Sequence, residues 1–378
     1  MIHKKFMPLV IYSFLISFLL LNPIWVLYLL SLGYSLYYIT ILDIIFFIAI
    51  VLFSYPCGRL CDIIGRKTSL LFSSLISGTG IILFATFTSF GGLAISYMVW
   101  GLGVALNVSA LESIVYDLST MYNQKYLQLY GLINFVGAIS LGVSSAIGGL
   151  IGQFIGFKFV IILSGGLVFV STIFTLNMEE PIKKIVRKRE KLKMRLFLKN
   201  RNIQGLFILR IILLLDIDIL FIFKQPYLYN IGFSTFFIGI FYMFDTFARG
   251  IASMYSSKFA AIIKVGKQTI FISSILMFLT TLLPGIFDFD AIILFFIINS
   301  VLFGFYSTIL SDETNKMLPM EIRGTVLSMI ALISSFVTAV TEPIFGYIAT
   351  VYNISIALIS LSIVFLVFAM IGLQRLES

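Results

Sequence analysis

The chain has one histidine, His3, and two cysteines, Cys57 and Cys61, in 378 residues. A structural metal site draws about four ligands from such side chains. Two cysteines four positions apart do not supply them, so unpaired thiols at a packed helix end are expected, with no metal and no cofactor. Charge is equally scarce: 11% of residues are charged and 60% are hydrophobic, with a mean hydropathy of +1.08. A soluble core of this length would need far more polar surface. The apolar runs do not alternate with polar residues, which excludes a β-barrel. No Gly-x-x-x-x-Gly-Lys-(Ser/Thr) occurs, so hydrolysis of ATP in the P-loop manner is excluded. No residue set suggests catalysis, and the chain is not expected to be an enzyme. The first apolar run, from Pro8, has no small-residue cleavage site after it and reads as a retained span.

What is present is a series of apolar stretches of about 20 residues, each long enough for a bilayer core of roughly 30 Å. They predict an all-α polytopic membrane protein with twelve spans. Six fall near 8–30, 36–57, 68–88, 92–115, 129–151 and 157–178. Six more fall near 203–225, 234–256, 268–286, 289–311, 324–348 and 353–373. The expected organisation is a bundle at 1–178, a linker at 179–202 and a second bundle at 203–378. The linker holds ten basic residues between Lys183 and Arg201 and is too charged to insert.

Most of the 26 basic residues fall on one side of this arrangement: Lys4, Lys5, Arg59, Arg66, Lys67, Lys125, the linker, Lys258, Lys264, Lys267, Lys316, Arg323 and Arg375. By the positive-inside rule both termini and the linker are expected in the cytoplasm, in the plasma membrane. The same distribution accounts for the net charge of +9 without a nucleic-acid partner. Anionic lipid headgroups at the cytoplasmic face are the expected counter-charge.

The halves repeat each other. Tyr28-Leu29-Leu30-Ser31-Leu32-Gly33-Tyr34-Ser35 matches Tyr227-Leu228-Tyr229-Asn230-Ile231-Gly232-Phe233-Ser234 at an offset of 199, with four of eight positions identical. Gly65-Arg66-Lys67 matches Gly266-Lys267-Gln268 at an offset of 201. Transporters built as such duplications hold their substrate between the repeats, near the midplane.

Between spans 2 and 3 stands Gly58-Arg59-Leu60-Cys61-Asp62-Ile63-Ile64-Gly65-Arg66-Lys67. It resembles the corresponding loop of major facilitator superfamily transporters, Gly-x-Leu-x-Asp-x-x-Gly-Arg-Lys, at every fixed position. The resemblance implies two pseudo-symmetric six-helix bundles that rock to give alternating access. Gly58, Asp62, Gly65, Arg66 and Lys67 then form a conformational latch, with Asp62 held by Arg66 or by the positive end of a neighbouring helix. A second match, Pro319-x-x-x-Arg323-Gly324-Thr325, opens span 11 as in many small members of the superfamily. In span 4, Tyr97 stands where the family often has an arginine tied to proton coupling, so that role is not carried over. Gly101-x-Gly103 lies in an apolar span with no strand before it, and reads as helix packing rather than nucleotide binding. Span 5 has Ser140-x-x-x-Ser144-Ser145-x-x-Gly148-Gly149, which keeps the small-residue spacing of antiporter-type exporters without their proline.

A charge at a helix centre costs roughly 2.5–3.5 kcal/mol on insertion scales, so buried charges should face a cavity or a partner. The candidate substrate or proton pathway is Asn22, Asp43, Asp216, Asp218 and Glu342. Asn22-Pro23 interrupts span 1 at mid-depth. Asp216 and Asp218 are about 200° apart around their helix and cannot share a face, so one can meet Arg210 while the other lines the cavity. Asp245 and Arg249, at i,i+4, read as a structural ion pair. Glu112 and Lys224 lie near helix ends, where they can snorkel. The 39 phenylalanines read as packing and lipid contacts. Acids outnumber bases in the buried set, which points to protons or a cationic substrate. Proton-coupled efflux of small amphipathic or cationic compounds by a monomeric antiporter is the leading expectation. Uptake of a neutral or weakly charged nutrient is the alternative. A non-transporting receptor or scaffold is the alternative of another class.

Overall fold

A computed structural model describes residues 4–124, 126–180, 200–263, 266–287, 292–318 and 320–376. The body of the linker, 181–199, and Pro319 lie outside the described residues. The described chain is helical: α1 Met7–Ile16, α2 Trp25–Ser31, α3 Leu36–Ile64, α4 Arg66–Thr86, α5 Phe90–Met121, α6 Tyr126–Phe154, α7 Phe157–Leu176, α8 Arg201–Asn230, α9 Thr235–Ile263, α10 Lys267–Ile286, α11 Ile293–Met317, α12 Met320–Val351 and α13 Ile354–Arg375. Nine of these are long and apolar enough to cross a membrane: α3, α4, α5, α6, α7, α10, α11, α12 and α13. The other three expected spans carry polar interruptions. Span 1 is broken into α1 and α2, while α8 and α9 hold Arg210, Asp216, Asp218, Lys224, Asp245 and Arg249.

The chain forms two compact units. The first comprises 1–34, 41–186 and the start of α9, 234–243; the second comprises 35–40, 187–233 and 244–378. In the first, α4 packs on α5 and α7, and α1 packs on α6 and α7. Small residues let the backbones approach. A Cβ on Gly101 would lie 2.8 Å from the Phe46 carbonyl of α3, and one on Gly103 would lie 2.6 Å from the Ser77 nitrogen of α4. On α6, a Cβ on Gly149 would lie 2.7 Å from the Gly239 Cα of α9. In the second unit, α8 packs on α11, α12 and α13, and α10 packs on α11 and α13.

Each unit repeats the other's local solutions. Gly33 and Gly232 end α2 and α8 at φ of +88° and +97°. After them Tyr34 N donates to Leu29 O at 3.2 Å, and Phe233 N to Leu228 O at 3.0 Å. This left-handed helix end is open to glycine at little cost. Tyr28 Oη donates to Ala85 O at 3.3 Å, and Tyr227 Oη to Pro284 O at 2.9 Å. Lys67 Nζ reaches Leu176 O at 2.7 Å, and Lys267 Nζ reaches Leu376 O at 2.5 Å.

One boundary differs from expectation. The sequence places the end of span 2 near residue 57 and Gly58 in the loop after it, but α3 runs on to Ile64, so Gly58 and Asp62 are helical. Only Gly65 lies between α3 and α4, at φ +100°. The polar residues from Arg59 lie within the helix and do not end it.

Candidate functional site

A buried polar cluster lies in the second unit, on four helices. Lys224 of α8 is 1% exposed, and its Nζ sits 2.9 Å from Asp245 Oδ1 of α9. Ser300 of α11 completes a triangle, donating to Asp245 Oδ1 at 2.5 Å and accepting from Lys224 at 3.3 Å. The ammonium also lies 5.7 Å from the centre of the Phe296 ring. Within electrostatic reach of Lys224, Asp216 is fully buried and accepts from Thr281 Oγ1 of α10 at 3.2 Å. Asn299 of α11 donates to Thr280 and Thr281 at 3.1 and 3.2 Å. Buried charges are tolerated where partners and hydrogen bonds surround them, and this cluster meets that condition.

Two sequence expectations are corrected here. Asp245 was read as the partner of Arg249, but its ion-pair partner is Lys224. A fully buried ammonium with Ser300 beside it offers better-shielded contacts than a half-buried guanidinium one turn away. Lys224 was expected to snorkel, yet it is among the largest fully buried side chains. Arg249 instead lies within electrostatic reach of Asp218, which is half-buried. Asp216 and Asp218 thus face different surroundings. Neither meets Arg210, whose Nη1 is buried with no hydrogen-bond acceptor among the described residues. Sequence reasoning missed Ser300, Asn299, Thr280 and Thr281. The available signal was two polar pairs, Thr280-Thr281 and Asn299-Ser300, inside apolar runs.

Glu342 is fully buried on α12, beside the in-helix Pro343. Asp43 is half-buried on α3. Arg323 and Gly324 fall in the first turns of α12. In the first unit the break between α1 and α2 spans residues 17–24. Pro23 has no N–H to give and disfavours helix at the residue before it. Asn22 Nδ2 donates to Ser145 Oγ of α6 at 3.1 Å, and Ser140 Oγ donates to Phe14 O at 2.5 Å. The small residues of α6 therefore brace the break. Tyr97 is buried among Trp25, Phe46, Phe84 and Trp100, with ring centres 5.0–6.4 Å apart along the cluster.

At the end of the first unit that bears Lys5, Arg66 Nη1 lies 2.6 Å from Asp62 Oδ1, and Arg66 Nε lies 3.6 Å from Asp117 Oδ2 on α5. Arg66 also donates to the Cys61 sulfur at 3.4 Å; both Cys57 and Cys61 are buried free thiols. Glu180, just past α7, accepts from the Arg66 and Lys67 backbone nitrogens at 2.7 and 3.0 Å. A carboxylate here satisfies free N–H groups and complements the helix dipole of α4. A Cβ on Gly65 would lie 2.5 Å from Glu180 Oε1, whereas one on Gly58 would meet nothing within 4 Å. Next to it, Glu179 bonds Lys5 at 2.6 Å and accepts from the Tyr122 hydroxyl, and it holds the Lys5 ammonium above its ordinary pKa.

Solved transporters share this architecture. The nucleoside transporter NupG aligns with 100% of this chain and 100% of its own, with a TM-score of 0.84 at 15% identity; a point mutant of it gives 0.86. A bacterial homolog to the human lysosomal transporter Spinster, inward-facing and unoccupied, aligns with 97% of this chain and 95% of its own, with a TM-score of 0.77 at 14% identity. At such identities the likeness is one of fold. No curated protein matches the sequence. The sequence pattern of the Major Facilitator Superfamily matches residues 9–341, most of the chain. Together with the helical repeats, this shows that the chain belongs to the Major Facilitator Superfamily.

Proposed function

We propose that this superfamily transporter carries a polar, uncharged or weakly charged solute into the cell, coupled to protons. The halves 1–178 and 203–378 would move by alternating access around the 179–202 linker. The observation that carries this reading is the cluster of Lys224, Asp245, Ser300, Asp216, Thr281 and Asn299. It places hydrogen-bonding groups inside the second unit with much of their charge internally balanced. Such a site suits a hydroxyl- and amide-bearing solute more than a lipophilic cation. A nucleoside-like compound is the first class to test, because NupG transports nucleosides.

The case for efflux of cations by an antiporter rested on a surplus of buried acids. Lys224 now stands against Asp245, Arg249 acts on Asp218, and Glu112 is exposed. The surplus is smaller, and uptake is the better-supported direction. In this reading Asp216 and Asp218 carry the proton. Gly58, Asp62, Gly65, Arg66 and Lys67 latch the closed state. The protein acts as a monomer in the plasma membrane, with both termini and the basic linker at the cytoplasmic, anionic lipid surface.

Proteoliposomes holding the full chain test this with labelled nucleosides, other polar solutes and lipophilic cations. The expected result is accumulation of a polar solute when the outside is made acidic. Gradient-driven extrusion of cations alone would restore the efflux reading. No flux of any compound would favour a receptor or scaffold.

A further inference from the structure

A cavity of about 510 Å³ opens at the Lys5-bearing end of the first unit, apart from the cluster above. Its volume is within the roughly 300–1,000 Å³ of small-molecule sites. Its walls include Arg66 at the start of α4, Ser109, Glu112, Tyr116 and Asp117 on α5, and Tyr126 at the start of α6. On α5 the lining follows three- and four-residue steps, 109–112–116 and 109–113–117, which keeps these residues on one side of the helix.

Apart from Arg66, the walls are acidic, hydroxyl-bearing and aromatic. Arg66 is engaged by Asp62 at 2.6 Å and by Asp117 at 3.6 Å. Glu112 is exposed and has no lysine or arginine within 4.0 Å among the described residues. Its hydrogen bond comes from the Tyr126 hydroxyl, at 3.3 Å. The Tyr116 and Tyr126 rings meet edge to face at 5.7 Å, and Tyr126 stacks on Tyr130 at 5.4 Å. Ser109 donates its hydroxyl hydrogen to Ala105 O at 2.8 Å, which leaves its lone pairs as acceptors. A carboxylate, hydroxyl acceptors and tyrosine rings around one space are the recognition chemistry of an organic cation.

We infer that this cavity binds an organic cation of the quaternary or alkylammonium type, and that its occupant competes with Arg66 for Asp117. The ligand is not the transported solute. It enters from the end that bears Lys5, and its binding loosens the Arg66 contact to α5. The inference stands on the cavity and holds whether or not uptake is the direction of transport.

The test uses the full chain in nanodiscs of zwitterionic lipid, titrated calorimetrically with tetraethylammonium. Neutral triethylphosphine oxide serves as the control. The expected result is saturable binding of the cation and none of the neutral compound. Glu112→Gln should weaken the cation at least about fivefold, and Tyr126→Leu should weaken it as well, while Glu112→Asp retains most of the affinity. Glu112 is exposed, so the unfolding temperature should stay at the parent value. Equal binding of the neutral compound would overturn the proposal, as would unchanged affinity in Glu112→Gln. Loss of the cation in Asp216→Asn with retention in Glu112→Gln would also overturn it, by placing the cation in the second unit. None of these readouts measures flux, so failure here is distinguishable from failure of the transport reading.

Discussion

Lys224 and Asp245 meet at 2.9 Å across two helices of the second unit, with side-chain exposures of 1% and 6%. A pair so shielded holds only while both members remain, because removing one leaves the other buried and uncompensated. Lys224→Met should therefore lower stability by about 3–5 kcal/mol, read as a fall in the unfolding temperature in detergent. The double variant Lys224→Met with Asp245→Leu should recover most of that loss but not transport. A double variant as unstable as the single one would show that the pair does not act as a unit.

The proposed latch rests on charge at Asp62 and on the turn at Gly65. Asp62→Asn should leave folded protein in the membrane and slow transport strongly. Gly65→Ala should be worse, because φ there is +100° and the added Cβ would crowd Glu180 off the α4 backbone. A cost of about 1–2 kcal/mol is expected in unfolding experiments. Unchanged flux in Asp62→Asn would reduce this stretch to a topology signal.

The crossing of α6 with the start of α9 depends on glycine. A Cβ on Gly149 would lie 2.5 Å from Thr235 O, and one on Gly239 would lie 2.6 Å from Ser145 O. Gly149→Val should force the helices apart at a cost of about 1–3 kcal/mol. Gly166→Ala makes a control, since its Cβ would meet nothing within 4 Å. Equal unfolding temperatures for both variants would contradict the close crossing.

The basic residues predict a topology that labelling can check. In a chain with Cys57 and Cys61 replaced by serine, Glu190→Cys should react with an impermeant thiol reagent only after cells are opened. Reaction in intact cells would invert the assignment of both termini and the linker.

Local features were legible in the sequence. The octets at 28–35 and 227–234 repeat because each ends a helix with a left-handed glycine, a requirement of a few neighbouring residues. The separation of Asp216 from Asp218 followed from 100° of rotation per residue. The packing role of Gly101 and Gly103 followed from small residues in an apolar run. Long-range partners were not legible. Asp245 had an arginine one turn away in sequence, but its partner lies 21 positions back on another helix. The carboxylate that caps α4 comes from Glu180, 114 positions from Arg66. The end of α3 is not legible because loss of hydropathy does not by itself end a helix, which continues until Gly65 turns the chain.

The most direct test of proton-coupled transport is uptake into proteoliposomes by the double variant Asp216→Asn with Asp218→Asn. Both acids lie mid-helix on α8, Asp216 inside the cluster and Asp218 half-buried. The account predicts that gradient-driven accumulation is abolished while solute exchange without net proton movement persists. Accumulation against the gradient by the double variant, with the pH dependence of the parent, would contradict it.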